Sequence, residues 1–336
     1  MTSRERMRRA LEHEEVDRLP RDLWYVPYIP MFRNDELERF RSLYPLDFAG
    51  TAISFGKSHY AKGESCRKGS YTDDFGSIWE VLEDGIAGEV KEPVIKTMAD
   101  LDNYRLPWEI VNDMDTSGQA AAYRESDGFV LASTHANPFE RMQFLRGTEQ
   151  LMCDIALEDP VFLKLKDMLH EFNVKEMKAI AKTAVDGIAF SDDWGSQNAL
   201  LISPSMWRKH FKPLYKEYCD IIHSNGKYAL FHSDGYTEAI IPDLIEIGVN
   251  ALNTQLFCMD IEKIASQYAG KMTFWGELDR QWILPFGTEE EVRESVRRLK
   301  RNFCGQKLTG FIAELSWETL TPYQNVVAAY DEFLKP

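Results

Sequence analysis

Histidine and acidic side chains stand directly after several apolar runs of this sequence, at the point where each run ends. One run leads into His232 and Asp234, and another leads into Asp192 and Asp193. Residues two apart on a strand share one face, so His232 and Asp234 are expected to point the same way, whereas only one of the two adjacent aspartates faces a pocket. An imidazole beside a carboxylate can hold a divalent metal or serve as an acid/base pair. A structural interpretation stays open for both places, because aspartate also caps the helix that follows a strand.

Three further apolar runs end in His135, Glu277 and Glu314. An acid next to a buried run is seldom left unpaired, so a salt bridge with Arg280 or Arg141 is the structural alternative for either glutamate. For the Asp192 and Asp193 pair, the acid that enters the pocket can be held protonated by burial and then act as a general acid. The catalytic candidates are therefore Asp192, Asp193, His232 and Glu277.

The elements that must position these residues can be read from the same runs. Eight apolar runs have the length of buried strands, and helical patterns separate the later ones. Alternation of strand and helix is typical of parallel βα units, whose polar C-terminal ends form the active site of a barrel. The sequence therefore predicts an α/β protein with one domain over residues 1–336, a single (β/α)8 TIM barrel. The predicted strands are 23–28, 48–53, 129–133, 187–191, 228–232, 251–254, 272–275 and 311–313, and the predicted helices include 160–183, 203–224, 236–247, 261–268 and 289–303.

The segment 60–106 interrupts this alternation. It contains five glycines with aromatic residues between them and has no helical periodicity. Short runs of this composition, bounded by glycine, are typical of hairpin strands. We predict a β-hairpin insertion that folds over the mouth of the barrel.

Composition limits the classes of function. The chain carries 54 acidic against 39 basic residues, a formal charge of −15, which disfavours binding to nucleic acid or to an anionic membrane surface. The five cysteines are scattered and include no CxxC pair, which argues against a disulfide framework. No secretory signal and no apolar run near the ~20 residues of a membrane span are visible. A cytoplasmic location is the expectation.

Aromatic and amide side chains near the predicted strand ends are candidates for binding substrate. Most aromatic residues will be core, but a few can line an apolar pocket that suits a planar ligand. Standard nucleotide and hydrolase motifs such as GxGxxG, GxxxxGK[ST], GxSxG and HExxH are missing. The substrate-binding candidates are His135, Trp194, Gln197, Gln255 and Trp275.

The order of motifs along the chain resembles the uroporphyrinogen decarboxylase superfamily, and in particular its methyltransferase-like branch. The resemblance is carried by SRER at 3–6, VDRLP at 16–20, DFGSIWE at 74–80, FER at 139–141, DDWGSQ at 192–197, FHSDG at 231–235, IPDLIEIGV at 241–249 and FWG at 274–276. It implies a (β/α)8 barrel with a deep cleft at the C-terminal ends of the strands.

The resemblance also separates two branches of the family. The true decarboxylases carry an arginine motif after the first strand and an aspartate after the second, where this chain has RDLWYVP at 21–27 and Ser54. The methyltransferase branch holds zinc with a His-x-Cys pair and a later cysteine. Here His232 matches the histidine, Asp234 replaces the first cysteine, and Glu314 stands near the second. The resemblance thus implies His232, Asp234 and Glu314 as ligands of a zinc ion, without the thiolates that activate a thiol.

From this resemblance we predict a corrinoid-dependent methyltransferase of the O-demethylase type. It would move a methyl group from a small, methoxylated aromatic donor to a corrinoid-binding partner protein. A zinc ion, or a proton from Asp192 or Asp193, would stabilise the departing oxygen. Uroporphyrinogen-type decarboxylation is the alternative reaction, and a non-catalytic relative is the alternative class. The oligomeric state is left open between monomer and homodimer.

Overall fold

A parallel sheet of seven strands forms the centre of an α/β fold. The computed structural model describes residues 1–305 and 308–335. The described strands are β1 (Trp24–Tyr25), β2 (Phe48–Ala49), β3 (Gly69–Thr72), β4 (Ile78–Val81), β5 (Glu89–Val90), β6 (Phe129–Ser133), β7 (Gly187–Ser191), β8 (Tyr228–Ser233), β9 (Ala251–Thr254), β10 (Thr273–Trp275), β11 (Phe311–Ile312) and β12 (Ser316–Trp317). The parallel sheet has the order β11-β10-β9-β8-β7-β6-β2. Because all seven strands run the same way, their carboxyl ends meet at one edge of the sheet, where the polar residues were predicted to gather.

The first strand segment lies between the two edges of this sheet. Strand β1 pairs in parallel with β12, and the amide of Asp22 donates to the carbonyl of Ala313 at 2.9 Å. On its other side, the amide of Asp47, which precedes β2, donates to the carbonyl of Arg21 at 2.9 Å. Both edges of the sheet therefore make backbone hydrogen bonds to residues 20–25. Strand β1 is shorter than predicted because Tyr28 already begins a helix.

Helices connect the strands of the sheet. The described helices are α1 (Ser3–Leu11), α2 (Tyr28–Phe32), α3 (Asn34–Leu43), α4 (Met98–Asn103), α5 (Glu109–Asn112), α6 (Gln119–Glu125), α7 (Pro138–Arg146), α8 (Thr148–Leu157), α9 (Pro160–Ala181), α10 (Pro204–His210), α11 (Lys212–Ser224), α12 (Ile241–Ile247), α13 (Ile261–Tyr268), α14 (Ile283–Phe286), α15 (Glu289–Phe303) and α16 (Tyr323–Phe333). None of them is long and apolar enough to cross a membrane.

Two predicted helices begin or break elsewhere, in both cases at a proline. The predicted helix 203–224 is divided into α10 and α11, with Pro213 in the first turn of the second. The predicted helix 236–247 is a short 3₁₀ turn followed by α12, with Pro242 in its first turn. Proline has no backbone N–H to give to the preceding turn, so it is tolerated only where a helix starts.

The segment 60–106 contains a separate antiparallel sheet of β3, β4 and β5. It packs against α7, which follows strand β6, through a Trp79–Phe144 aromatic contact at 4.7 Å and an Asp73–Arg141 ion pair at 2.8 Å. The Tyr104 hydroxyl donates to the carbonyl of Phe75 at 2.9 Å. The contacts of Trp79 and Asp73 tie the segment to the first helix after β6, whereas the Tyr104 bond lies within the segment.

Candidate functional site

A cavity of about 500 Å³ opens at the carboxyl ends of the parallel strands. Its walls come from β1, β2, β6, β7, β8 and β10, so residues far apart in the sequence meet there. The largest side chains that line it are Trp24, Phe48, Leu131, Phe190, His232 and Trp275. Trp275 stacks on Phe48 with ring centroids 5.2 Å apart, and Trp24 meets Trp275 edge-on at the same separation. Together with Leu46, these side chains make the cavity a mostly apolar slot that has aromatic rings and the His232 imidazole in its wall.

Two carboxylates approach the outer nitrogen of His232. Its Nε2 lies 3.4 Å from Oδ1 of Asp193 and 3.7 Å from Oδ1 of Asp234. Each residue of this Asp193–His232–Asp234 cluster offers a ligand atom within 4.8 Å of the other two. No other group of three such residues is found in the described part of the chain.

Asn253 on β9 determines which nitrogen of His232 carries its proton. The Asn253 amide nitrogen donates to the Trp275 carbonyl at 2.6 Å and to Glu314 Oε2 at 3.2 Å, so the amide oxygen faces the imidazole. That oxygen lies 2.6 Å from His232 Nδ1 and can only accept a hydrogen bond, so Nδ1 must carry the proton and donate. In the neutral imidazole, the lone pair then lies on Nε2 and faces the two carboxylates.

Two glycines allow the loops after β7 and β8 to bring Asp193 and Asp234 together. A Cβ atom on Gly195 would lie 2.1 Å from the Tyr236 nitrogen, and one on Gly235 would lie 2.2 Å from the Gly195 oxygen. Gly235 also has φ +78°, in the left-handed region that favours glycine. At this close approach, the amide of Asp234 donates to Asp193 Oδ1 at 2.8 Å. The cluster is thus held by direct backbone packing of neighbouring loops.

Arg280 carries the positive charge next to the cluster. It pairs with Oδ2 of Asp234 and lies 3.2 Å from Oε1 of Glu277. The alternative predicted for Glu277, a salt bridge with Arg280, is therefore present. Burial raises the pKa of Glu277, and the Arg280 guanidinium opposes this shift. Oδ1 of Asp234, the oxygen that faces His232, is buried and accepts no hydrogen bond.

The carboxylate of Asp192, one of the catalytic candidates, accepts its hydrogen bonds from the start of α7 and from a tyrosine of α11. Its side chain is fully buried and accepts from the amides of Phe139 and Glu140 at 2.8 Å each and from the Tyr215 hydroxyl at 2.6 Å. Asn137 at the start of α7 makes no capping bond, so Asp192 supplies the acceptors for that first turn. Burial raises the pKa of Asp192 to about 7. Asp192 therefore stabilises the first turn of α7, and Asp193 is the acid that lies beside His232.

Glu314, predicted as the third metal ligand, lies outside the cluster, and this prediction needs correction. In the sheet, β9 and β10 stand between β8, which carries His232, and β11, which precedes Glu314. Asn253 on β9 fills the intervening space and donates to Glu314. Strand β7 is the direct neighbour of β8, so Asp193 takes the place predicted for Glu314. Burial, reinforced by the nearby Glu277 carboxylate, raises the pKa of Glu314 well above its usual range.

The five substrate-binding candidates separate into different environments. Trp275 lines the cavity, whereas Trp194 is fully buried and stacks on Phe139 with centroids 4.1 Å apart, so it belongs to the core. His135 bonds through Nδ1 to the buried Glu176 at 2.5 Å and is not part of the cavity wall.

Gln255 accepts from the amide of Gly235 at 3.1 Å and so supports the Asp234 loop. Gln197 is exposed and bonds to Gln281, away from the cavity.

The sequence analysis did not identify Asp22, which lines the cavity under two indole rings. Its Oδ2 accepts from Trp24 Nε1 at 2.9 Å and from Trp275 Nε1 at 3.2 Å. Burial raises the pKa of Asp22 to about 6. Asn253 and Arg280 were also not recognised as supports of the cluster. Their only sequence signal is position, since each is a polar residue at or beyond the end of a predicted strand.

Comparison with known proteins shows the family of this chain. The family model for uroporphyrinogen decarboxylase (URO-D) matches residues 73–331, which is most of the chain. The chain belongs to the uroporphyrinogen decarboxylase family. Within the family it is 24% identical over 311 residues to the methylcobamide:CoM methyltransferase MtbA of Methanosarcina acetivorans. This alignment covers 89% of this chain and 88% of that relative. The MtbA of Methanosarcina mazei is 23% identical with the same coverage.

A solved structure of a methyltransferase from Methanosarcina mazei has the same fold. It superposes with a TM-score of 0.68 at 13% identity and covers 99% of this chain and 98% of that one. These relatives confirm the predicted resemblance to the methyltransferase branch of the uroporphyrinogen decarboxylase family.

Proposed function

We propose that this protein is a corrinoid-dependent methyltransferase of the O-demethylase type. It takes a methyl group from a small methoxylated aromatic compound and passes it to a corrinoid that is carried by a partner protein. One observation carries the proposal: His232 Nε2 stands between two carboxylates in the wall of an aromatic cavity of about 500 Å³. The similarity over 89% of the chain to methylcobamide:CoM methyltransferases supports the same chemistry.

The cavity supports an aromatic methyl ether as the donor. Stacked and edge-on rings of Trp24, Phe48 and Trp275 form a slot into which another planar ring can fit. Ligand pockets for small molecules usually have volumes of about 300–1,000 Å³, and this cavity is at the lower end of that range. A single substituted ring is therefore better matched than a tetrapyrrole.

The cluster also fits a divalent metal such as zinc. Asp193, His232 and Asp234 would hold it, and the buried, unpartnered Oδ1 of Asp234 is the kind of atom that a cation would satisfy. Three protein ligands with a further open position are typical of catalytic zinc sites, although oxygen ligands also suit other divalent ions. When bound there, such a metal would supply a Lewis acid for the ether oxygen.

The residues of the chain position the reaction. A reduced corrinoid on the partner protein would accept the methyl group, and the electrons of the broken carbon–oxygen bond would stay on the oxygen as a phenolate. A metal ion held by the cluster would neutralise this negative charge. Asn253 presents the Nε2 lone pair of His232, and Arg280 holds Asp234 in place. Glu277 acts through Arg280, and for this reason we regard it as a positioning residue.

The carrier of the corrinoid must reach the open end of the cavity. The loop after β10 carries Trp282, which is 69% exposed, and Phe286, which is 64% exposed. Their rings lie 6.1 Å apart, close in sequence to Arg280. This apolar surface is at the same edge of the sheet as the cavity and offers a contact for a partner protein.

We also propose how the barrel closes and what covers its mouth. Residues 20–25, with hydrogen bonds to both sheet edges, would act as the strand that closes an eight-stranded barrel of one domain. The segment 60–106 would cover part of the mouth, as its contacts with α7 suggest. Decarboxylation of a porphyrinogen is not supported, because the described cavity wall includes no lysine or arginine to bind the carboxylates of such a substrate.

The test uses the purified protein with reduced cobalamin and guaiacol, a methoxylated phenol. We expect the absorption spectrum to change from reduced to methylated cobalamin, and release of catechol in equal amount. A parallel reaction contains uroporphyrinogen, for which we expect no decarboxylated product. Formation of coproporphyrinogen, or failure of every methoxylated aromatic compound to react in the presence of a cognate corrinoid protein, would contradict the proposal.

A further inference from the structure

Asp22 is the carboxylate of the cavity wall that the chemistry at His232 does not use. Its side chain is buried, and one oxygen, Oδ2, accepts from two indole N–H groups. The amide of Leu23 also interacts with the carboxylate, but no described side chain donates to the other oxygen, Oδ1. A carboxylate group can accept about four hydrogen bonds, so Asp22 keeps capacity for a further donor. This residue lies in the same cavity as His232 but in a different part of its wall.

The carboxylates of the cavity wall and of the cluster outnumber the cations near them. Asp22 belongs to the wall, and Asp193 and Asp234 flank His232. The described residues of the wall include no lysine or arginine, and Arg280 is already paired with Asp234 and Glu277. A ligand that brings its own carboxylate would therefore place a second negative charge near Asp22, where the described wall offers no lysine or arginine to pair with it. Such a charge is strongly disfavoured.

We propose that Asp22 selects the methyl donor, so that the cavity accepts aromatic methyl ethers with a hydrogen-bond donor such as a phenolic hydroxyl and excludes those with a carboxylate. This inference rests on the proposed function and specifies its substrate class. The hydroxyl of the donor would bond to Asp22 at one end of the slot. Its methoxy group would then be directed toward His232 at the other end.

The geometry of Trp24 connects these two ends. Its indole nitrogen donates to Asp22, and its ring centroid lies 4.9 Å from that of His232. One aromatic side chain thus spans the distance from the carboxylate to the imidazole. A single substituted benzene ring that lies along Trp24 can contact both groups with substituents on the same ring.

The first test is equilibrium binding, which needs neither corrinoid nor turnover. Three ligands of similar size are compared by isothermal titration calorimetry: guaiacol with a hydroxyl, anisole without one, and ortho-anisate with a carboxylate. A hydrogen bond to a charged group corresponds to an affinity difference of about 10-fold or more. We expect guaiacol to bind at least about 10-fold more tightly than anisole, and ortho-anisate to bind most weakly. Equal affinities, tighter binding of ortho-anisate, or no binding of guaiacol would overturn the inference.

The second test removes the charge at Asp22. Asp22→Asn keeps an oxygen that can accept from the indole N–H groups. We expect the variant to bind guaiacol at least about fivefold more weakly and ortho-anisate more tightly than the wild type does. Asp35→Asn is the matched control, because it makes the same change in net charge at an exposed position. Wild-type preferences in Asp22→Asn, or the same shift in Asp35→Asn, would contradict a local role of Asp22.

The two proposals can fail separately. Selective binding of guaiacol without any methyl transfer would refute the methyltransferase and leave the selection by Asp22 intact. Methyl transfer that prefers ortho-anisate would confirm the reaction and refute the selection. Should Asp22→Asn fail to fold, the comparison of the three ligands on the wild-type protein still decides the question.

Discussion

Asp192 and Asp193 are adjacent and chemically identical, yet they lie in opposite environments. The carboxylate of Asp192 is fully buried and accepts from two backbone amides and a tyrosine hydroxyl. The carboxylate of Asp193 is half-buried and lies 3.4 Å from His232 Nε2. Burial raises the pKa of both groups, but only Asp192 has its hydrogen-bonding capacity taken up by the body of the fold.

This contrast shows how one strand end can serve structure and chemistry at once. The alternation of faces at the end of β7 directs one acid toward α7 and the other toward β8. An acid whose oxygens accept from helix amides is fixed and stabilises the fold. An acid that faces an imidazole and a second carboxylate stays available to a ligand. A raised pKa alone does not tell the two apart, since the hydrogen-bond partners decide.

The largest effect is expected at His232. His232→Ala removes the group on which the cluster depends, so we expect methyl transfer to fall by at least about 1,000-fold, within the range attributed to a positioned catalytic group. The side chain lies at a cavity wall, so the melting temperature should stay within a few degrees of the wild type. Activity is followed by the cobalamin spectrum and stability by circular dichroism. An inactive variant that is also unfolded would indicate a structural role instead.

The two aspartates can be compared directly by Asp193→Ala and Asp192→Ala. We expect Asp193→Ala to reduce methyl transfer by about 100-fold and to change the free energy of unfolding by less than about 1 kcal/mol. Asp192→Ala leaves three buried donors without an acceptor, so unfolding should become easier by at least about 2 kcal/mol. Urea denaturation and turnover are measured on both variants. Equal losses of stability would remove the distinction between the two acids.

Asn253→Leu tests how the imidazole is oriented. Loss of the acceptor at Nδ1 should allow the other tautomer of His232, and zinc or cobalt affinity should fall by about 10-fold to 100-fold, as for other partners of metal-ligating histidines. Nitrogen-15 spectra of the imidazole report the tautomer, and metal competition reports the affinity. Asn103→Leu, at an exposed position of α4, is the control. Unchanged spectra and affinity in Asn253→Leu would show that Asn253 does not orient His232.

The smallest effect concerns Asp22 and the pH dependence of stability. Its pKa is about 6 in the folded protein against 3.8 in the reference state, so the folded protein retains this proton at pH values where the unfolded chain releases it. The contribution of Asp22 to the free energy of unfolding should therefore fall as pH rises from about 4 to 6. Asp22→Asn lacks this titration and should gain about 2 kcal/mol relative to the wild type between pH 4 and pH 7, less than the full pKa difference because the unfolded chain already titrates partly below pH 4.

The same measurement on Asp35→Asn serves as the control for Asp22→Asn, and its stability should run parallel to that of the wild type. A stability difference between Asp22→Asn and the wild type that stays constant from pH 4 to pH 7 would show that burial of this carboxyl carries no such free-energy cost.

Much of the strand pattern could be predicted because buried parallel strands are apolar on both faces. Strands β6, β7 and β9 have the predicted bounds, as do the helices α13 and α15. The predictions were less accurate at 23–28 and 48–53, where only two residues of each make ladder pairs. Apolar residues continue past the point where the backbone leaves the sheet, so hydrophobicity alone cannot mark that boundary.

The candidate site was predicted in part. His232 and Asp234 lie together as expected for residues two apart on one strand end, and Trp275 lines the cavity. Trp194 was taken for a substrate contact, because an aromatic residue after a strand end can face either the cavity or the helices outside the sheet. Asp22 was missed because its partner Trp275 is 253 residues away in the sequence.

By itself, the sequence determined the family, the order of strands and helices, and the edge of the sheet at which polar residues collect, since these follow from local apolar runs and motif order. Only the tertiary structure decided which of those polar residues meet. Strand β7 lies beside β8, whereas β9 and β10 separate β8 from β11, so Asp193 approaches His232 and Glu314 does not. Distances between strand ends depend on which strands lie side by side in the sheet and on how the loops between them pack. No short stretch of sequence contains this information.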